Sequence, residues 1–129
     1  MELKITERGW PGHYICAEHC LFRRNTLIEY GDLKWIVLTV GWEKFFDDSD
    51  DFVKVGYNRY YETMAFEAKQ DGIYWNADTN KPIDFYGPWA IHDYTNDSEF
   101  RANEMHEKVV AKLSEKIKKT YEKGGNYEI

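Results

Sequence analysis

The spacing of apolar residues along this chain changes once, and the change divides it into a strand-like part and a helical part. Over residues 1–95 the apolar positions come in short runs cut by glycine, proline and acidic clusters, the pattern of strands and turns. Further on, Met105, Val109, Val110, Leu113, Ile117 and Tyr121 recur at helical spacing, with Lys and Glu on the opposite face. This predicts a helix over about 97–123, within a helical region of 96–124. Asn96, Asp97 or Ser98 can cap its start, and Gly124-Gly125 can end it. Lys116, Lys118, Lys119 and Lys123 gather where they complement the macrodipole. A helix of that length is long for so small a domain. Either it breaks near Asn103, or it runs past its own sheet and packs on another subunit.

In the first part, Gly9-Trp10-Pro11-Gly12 predicts a turn, and 13–22 a strand rich in aromatic and branched residues. Arg23, Arg24, Asn25 and Thr26 then read as a turn, 27–30 as a short strand, and Gly31-Asp32 as a second turn. The run LKWIVLTV at 33–40 is apolar on both faces after Lys34, which suits a central, buried strand. DDSDD at 47–51 reads as a solvated loop and 52–55 as another strand. The segment 60–68 is open to two readings. Glu62, Met64, Ala65, Ala68 and Lys69 tolerate a helix, while the flanking tyrosines and Ile73-Tyr74-Trp75 favour a strand. The hairpin reading, with its turn at 69–72, sets Phe66 opposite Trp75 and Ala65 opposite Asn76. Lys81-Pro82 opens a short strand over 83–86, stopped by Gly87-Pro88, and 89–92 reads as one more. The fold class expected is α+β: an antiparallel β-sheet followed by a C-terminal helix or helices, in one domain over 1–129.

Composition narrows the function classes. At 129 residues the chain can bury one core. Its net charge of −6 argues against wrapping nucleic acid, which needs a positive face to displace counterions. It leaves room for one small anion held by a few arginines. Met1 to Arg8 holds no apolar run of signal-peptide type, and no stretch approaches the length of a membrane span. With Cys16 and Cys20 the only cysteines, no disulfide framework is implied, and a reducing cytoplasm is the compartment expected.

Several groups could carry chemistry. His13, Cys16, His19 and Cys20 have zinc-ligand types, but on a strand the histidines face one way and the cysteines the other, so they cannot close a tetrahedron. The acidic run at 47–51 lacks the glycine and terminal glutamate of a calcium loop. His92-Asp93 and His106-Glu107 are sequence neighbours, which do not orient each other as a catalytic triad requires. The richest stretch is YNRYYETMAFEAKQDGIYWNAD at 57–78, which gathers aromatic rings, Arg59, Asn76 and Asp78. Rings stack on nucleobases, guanidinium holds phosphate, and amides and carboxylates read ribose hydroxyls. Core packing is the plainer reading for Phe66 and Trp75, since sheets bury aromatics routinely. Arg23, Arg24, Asn25 and Thr26, two guanidiniums with an amide and a hydroxyl, would make a phosphate cradle if they form a turn. Arg101, in the first turns of the helix, sits where exposed amides favour anions. These residues describe a binder of a small nucleotide-like molecule rather than an enzyme, with no cofactor or metal called for.

The segments RGWPGHYICAEHCLFRRNTLIEYGDLKWIVLTVG, GYNRYYETMAFEAK and NEMHEKVV resemble the first type of Thoeris anti-defence protein, a phage family of nucleotide-signal sponges. The likeness runs over roughly residues 6–112. It implies sequestration, without cleavage, of glycosyl-linked cyclic ADP-ribose isomers in the host bacterial cytoplasm. It also implies a homo-oligomer built from dimers into hexamers, and for some members separate pockets for cyclic di- and trinucleotides. By that resemblance Phe66 stacks on adenine, and Asn76 and Asp78 bond base edge or ribose. Arg101 would come from the neighbouring subunit, while Arg24 and Thr26 would belong to the second kind of pocket. Two other functions fit the residues: a phosphodiesterase-like hydrolase of such nucleotides, and a protein-interaction module that blocks a host defence protein.

Overall fold

The computed structural model describes residues 2–8, 20–43, 60–85, 90–93 and 95–124, without side chains at 20, 21, 42 and 43. Its strands are β1 (Leu3–Glu7), β2 (Cys20–Tyr30), β3 (Leu33–Glu43), β4 (Tyr61–Asp71), β5 (Tyr74–Pro82) and β6 (Ala90–Ile91), followed by helix α1 (Ser98–Glu122). All pairings are antiparallel, in the order β1-β2-β3-β4-β5, and the short β6 pairs with β4. Among the described residues this is the α+β arrangement expected, a six-stranded sheet and one helix.

The strand β3 is the middle of the sheet, and its apolar run explains why. Trp35 and Val37 face the helix while Ile36 and Leu38 face away, and all four are buried. Such a strand is stable only when covered on both faces. Between the first strands, Gly31 takes a positive φ of 62°, the conformation glycine adopts without steric cost, and the turn closes at Gly31-Asp32 as expected.

Four expectations are corrected. Arg23, Arg24, Asn25 and Thr26 form no turn; they lie inside β2, paired with β3 from Arg23↔Val40 to Thr26↔Val37. On the other side Thr26 pairs with Glu7 of β1, a strand that the polar residues at the N-terminus concealed. A polar run becomes strand when two neighbours satisfy its backbone and its side chains alternate between faces. The hairpin is real, and 61–71 is strand rather than helix, but its connection is Gly72-Ile73, with Gly72 at φ 62°. Gln70 therefore stands opposite Trp75, Lys69 opposite Asn76, and Phe66 opposite Pro82. From Phe66↔Pro82 to Ala68↔Ala77, β4 advances two residues and β5 five, so part of β5 bulges out of the ladder.

The third correction concerns the helix, which neither breaks near Asn103 nor overshoots the sheet. Its buried positions run from Ser98 to Thr120. Ala102 and Met105 pack with Phe22, Tyr61 and Ile91; Val109, Val110, Leu113 and Ile117 pack with Ile28, Trp35, Val37 and Ala65. At the far end the Tyr121 ring meets Tyr30 edge-on at 5.4 Å. The helix thus follows β2 from Phe22 to Tyr30. At 1.5 Å per residue it is roughly 37 Å long, and an eleven-residue strand roughly 36 Å, so the two lengths match. Gly124, at φ 79°, follows the last turn as expected.

Of the strand expected at 83–86, the described residues 83–85 form none; the Ile83 amide is tied to the Ala65 carbonyl at 2.9 Å. The expected strand at 89–92 corresponds to β6. Expectations for 9–19, 44–59 and Tyr86 lie outside the described residues.

One glycine carries a packing constraint. Gly41 pairs with Phe22 on one side and Tyr61 on the other, and a Cβ there would fall 2.2 Å from the Tyr61 ring and 2.8 Å from Phe22 Cβ. Tyr61 is fully buried and cannot swing away. Gly41→Ala is expected to lower stability by about 2 kcal/mol, within the range for overpacking a core. A urea-unfolding midpoint equal to that of the parent protein would show that the ring yields freely.

Candidate functional site

Two polar constellations lie on opposite faces of the sheet. On the helix-free face, the end of β1 meets the β4–β5 hairpin. Arg8 continues the β1–β2 ladder, its amide donating to the Asn25 carbonyl at 2.6 Å. Its guanidinium then reaches over the face. Nε and Nη2 donate to Asn25 Oδ1 at 3.0 and 2.9 Å, and Nη1 donates to the Trp75 carbonyl of β5 at 2.6 Å. Arg8, Asn25, Tyr74 and Asn76 line a cleft of about 400 Å³. Such a volume lies at the lower end of small-molecule sites, roughly 300–1,000 Å³. Tyr74 is largely exposed, and the Asn76 side chain donates to Asp71 at 2.9 Å. Beside the cleft, Lys34 Nζ lies 4.9 Å from the centre of the Trp75 ring, a cation–π contact.

The charge of this cleft comes from Arg8. Burial lowers its pKa and the Glu29 carboxylate raises it through space, with a net shift below the ordinary arginine value that leaves it protonated at neutral pH. Its hydrogen-bond partners among the described residues are neutral oxygens.

On the other face, beneath α1, a chain of hydroxyls surrounds His106. Thr26 donates to Glu7 Oε2 at 2.5 Å and lies 2.7 Å from His106 Nε2. Thr39 lies 2.7 Å from His106 Nδ1 and 2.6 Å from Thr63 Oγ1. The directions follow from valence. Burial pushes Glu7 up, but the hydrogen bonds from Arg24 and Thr26 and the charge of Arg24 outweigh it, so Glu7 is an ionised acceptor. With its proton committed to Glu7, Thr26 must accept from Nε2–H. Nδ1 then accepts from Thr39, and Thr39 accepts from Thr63. His106 is therefore the neutral Nε2–H tautomer. Burial first, then the Arg24 charge, lowers its pKa to about 4, against the pull of Glu7 and Glu107.

Arg24 completes this network. It grips Glu7 with two bonds of 3.2 Å and Glu107 at 2.6 Å. Burial lowers its pKa, but these two carboxylates more than compensate, and the net shift is upward. Its charge is answered within the fold.

The residues singled out in the sequence thus separate. Asn76 lines the cleft. Phe66 is buried with Leu27, Ile36 and Leu38 on the same face as Asn25. Asp78 sits in the bulged part of β5 and accepts from the Asn80 amide at 3.1 Å. Arg24 and Thr26 belong to the network under the helix. Arg101 pairs with Asp93 at 3.4 Å at the start of α1. Arg59 lies outside the described residues. Sequence reasoning missed Arg8 and passed over Tyr74 as one of several strand aromatics. Only the alternation L-K-I-T-E before Arg8 hinted that it ends a strand. Among the described residues no three His, Cys, Asp or Glu side chains gather as metal ligands.

No protein-family model, curated protein or solved structure matches this chain.

Proposed function

We propose that this protein binds and sequesters a small cyclic nucleotide, of the glycosyl-linked cyclic ADP-ribose type, and does not cleave it. The observation that carries this reading is the cleft in which a guanidinium, two carboxamides and a phenol ring converge on one space. Each group has a partner on such a ligand: phosphate for Arg8, base edge or ribose hydroxyls for Asn25 and Asn76, and the adenine face for Tyr74. The segment likeness to Thoeris anti-defence proteins supports the same function, and with it a homo-oligomer acting in the host bacterial cytoplasm. Among the described residues no helix is long and apolar enough to cross a membrane.

A recovery assay tests the reading. Purified protein is incubated with cyclic ADP-ribose isomers and cyclic oligonucleotides, filtered, then heat-denatured, and both fractions are resolved by mass. A ligand lost from the filtrate and returned intact on denaturation is the expected result. Conversion to product would make the protein a hydrolase, and no depletion would favour the protein-interaction function. Tyr74→Ala combined with Asn76→Ala is expected to weaken retention by about tenfold to a hundredfold, the worth of one base stack. Because Tyr74 is exposed and Asn76 only half-buried, the double variant should unfold at nearly the parent temperature.

A further inference from the structure

We propose that Arg8 is the anion anchor of the cleft, so that the ligand must carry a phosphate or pyrophosphate group beside its flat, hydrogen-bonding part. The inference rests on the cleft being the binding site, but not on the ligand being a nucleotide.

The argument starts from valence. A guanidinium has five N–H donors in a fixed fork, and three are committed, two to Asn25 Oδ1 and one to the Trp75 carbonyl. Counted against the described residues, one N–H on each terminal nitrogen remains, and a phosphoryl group accepts both at once. The second step is charge. The other two arginines whose contacts are described hold carboxylates: Arg24 with Glu7 and Glu107, Arg101 with Asp93. Among the described residues Arg8 contacts only neutral oxygens, with the Glu29 carboxylate acting on it through space, although it is partly buried. A partly desolvated cation without a contacting counter-ion is costly, and an arriving anion relieves that cost. The third step is rigidity. Arg8 is tied to β2 through its amide and through Asn25, and to β5 through Trp75. Its fork is already oriented, so little side-chain entropy is lost on binding.

The same ties place the anion opposite the hairpin wall. Tyr74 and Asn76 flank Trp75, whose carbonyl Arg8 holds, so anchor and ring come from the two sides of one hydrogen bond. An anionic group at Arg8 would leave the rest of a nucleotide-sized molecule against Tyr74.

The test uses inorganic pyrophosphate as the probe and adenosine as a neutral comparison, read by nitrogen–proton NMR at the Arg8 Nε–H. Pyrophosphate is expected to shift this signal saturably in the parent protein, and adenosine at equal concentration to leave it in place. Binding should be lost in Arg8→Gln and at least tenfold weaker in Arg8→Lys, which keeps the charge but loses the fork. Unfolding curves of both variants separate a lost anchor from a lost fold. A parent Arg8 signal unmoved by millimolar pyrophosphate would overturn the inference, as would equal pyrophosphate binding by folded Arg8→Gln. The two readings fail separately. Pyrophosphate titrating Arg8 while every nucleotide escapes retention would sink the sponge and keep the anchor. A nucleotide retained undiminished by Arg8→Gln would do the reverse.

Discussion

Phe66→Ala is expected to destabilise the protein by roughly 3–5 kcal/mol, the cost of removing a buried phenylalanine and leaving its cavity. The ring is 3% exposed and is enclosed by Leu27, Ile36 and Leu38, with Met64, Ala68 and Ala77 packed around them. These neighbours belong to four strands, so the cavity cannot be closed by moving one loop. Phe66→Leu, which keeps most of the volume, should cost only about 1 kcal/mol. Urea unfolding of the two variants checks this, and an alanine variant as stable as its parent would show that Phe66 is not core. The outcome bears on function as well. Were Phe66 also a ligand contact, as the sequence reading expected, a ligand lost on Phe66→Ala could report unfolding rather than a missing contact. Tyr74 and Asn76, on the exposed hairpin, are the cleaner probes of the cleft.

Lowering the pH from 7 to 4 is expected to remove about 3 kcal/mol of stability through His106 alone. In the fold its pKa is about 4, against an ordinary 6.5. A histidine with a depressed folded pKa stays neutral in the native state while the unfolded chain takes up a proton. Its contribution is therefore complete above pH 6.5 and is lost as pH falls towards 4, at up to about 1.4 kcal/mol per pH unit. The structural cause is directional. A second proton on Nδ1 would face the donor Thr39, and Thr39 and Thr63 would both have to turn their hydroxyls. Glu7 adds to the loss lower down, because its folded pKa is also depressed and its bonds to Arg24 and Thr26 fail when it protonates. Urea-unfolding free energies measured between pH 7 and 4 should show the slope, and His106→Gln should flatten it above the range where Glu7 titrates. A parent protein with no slope between pH 6.5 and 5 would mean that His106 is not held neutral.

Much of the fold was legible because the signals were local. Apolar spacing marks α1 to within a residue at each end, and an uninterrupted apolar run marks β3 as the covered middle strand. The hairpin was legible from Asp71-Gly72, but its register was not. One glycine at φ 62° selects the shorter Gly72-Ile73 connection, and that shift moved every cross-strand partner. The N-terminal strand and the polar centre of β2 were hidden for a related reason. A polar segment becomes strand when neighbours far along the chain accept its backbone, and the sequence holds no local trace of them.

The site shows the division most sharply. Residue types and their order determined that this chain makes an α+β fold with an amphipathic helix over a sheet, and they singled out the aromatic hairpin as a candidate binding region. Tertiary structure alone decided which partner each charge meets among the described residues. Arg8 and Arg24 are equivalent in sequence. Arg24 is spent between Glu7 and Glu107, while Arg8 spans from Asn25 to Trp75 and faces the cleft. Whether a guanidinium meets a carboxylate or a carbonyl depends on which strands and helix the fold brings together across 17 to 83 residues of chain. Hydrogen bonds and ion pairs act over a few ångströms in space, so local sequence can supply the donor but cannot choose its partner.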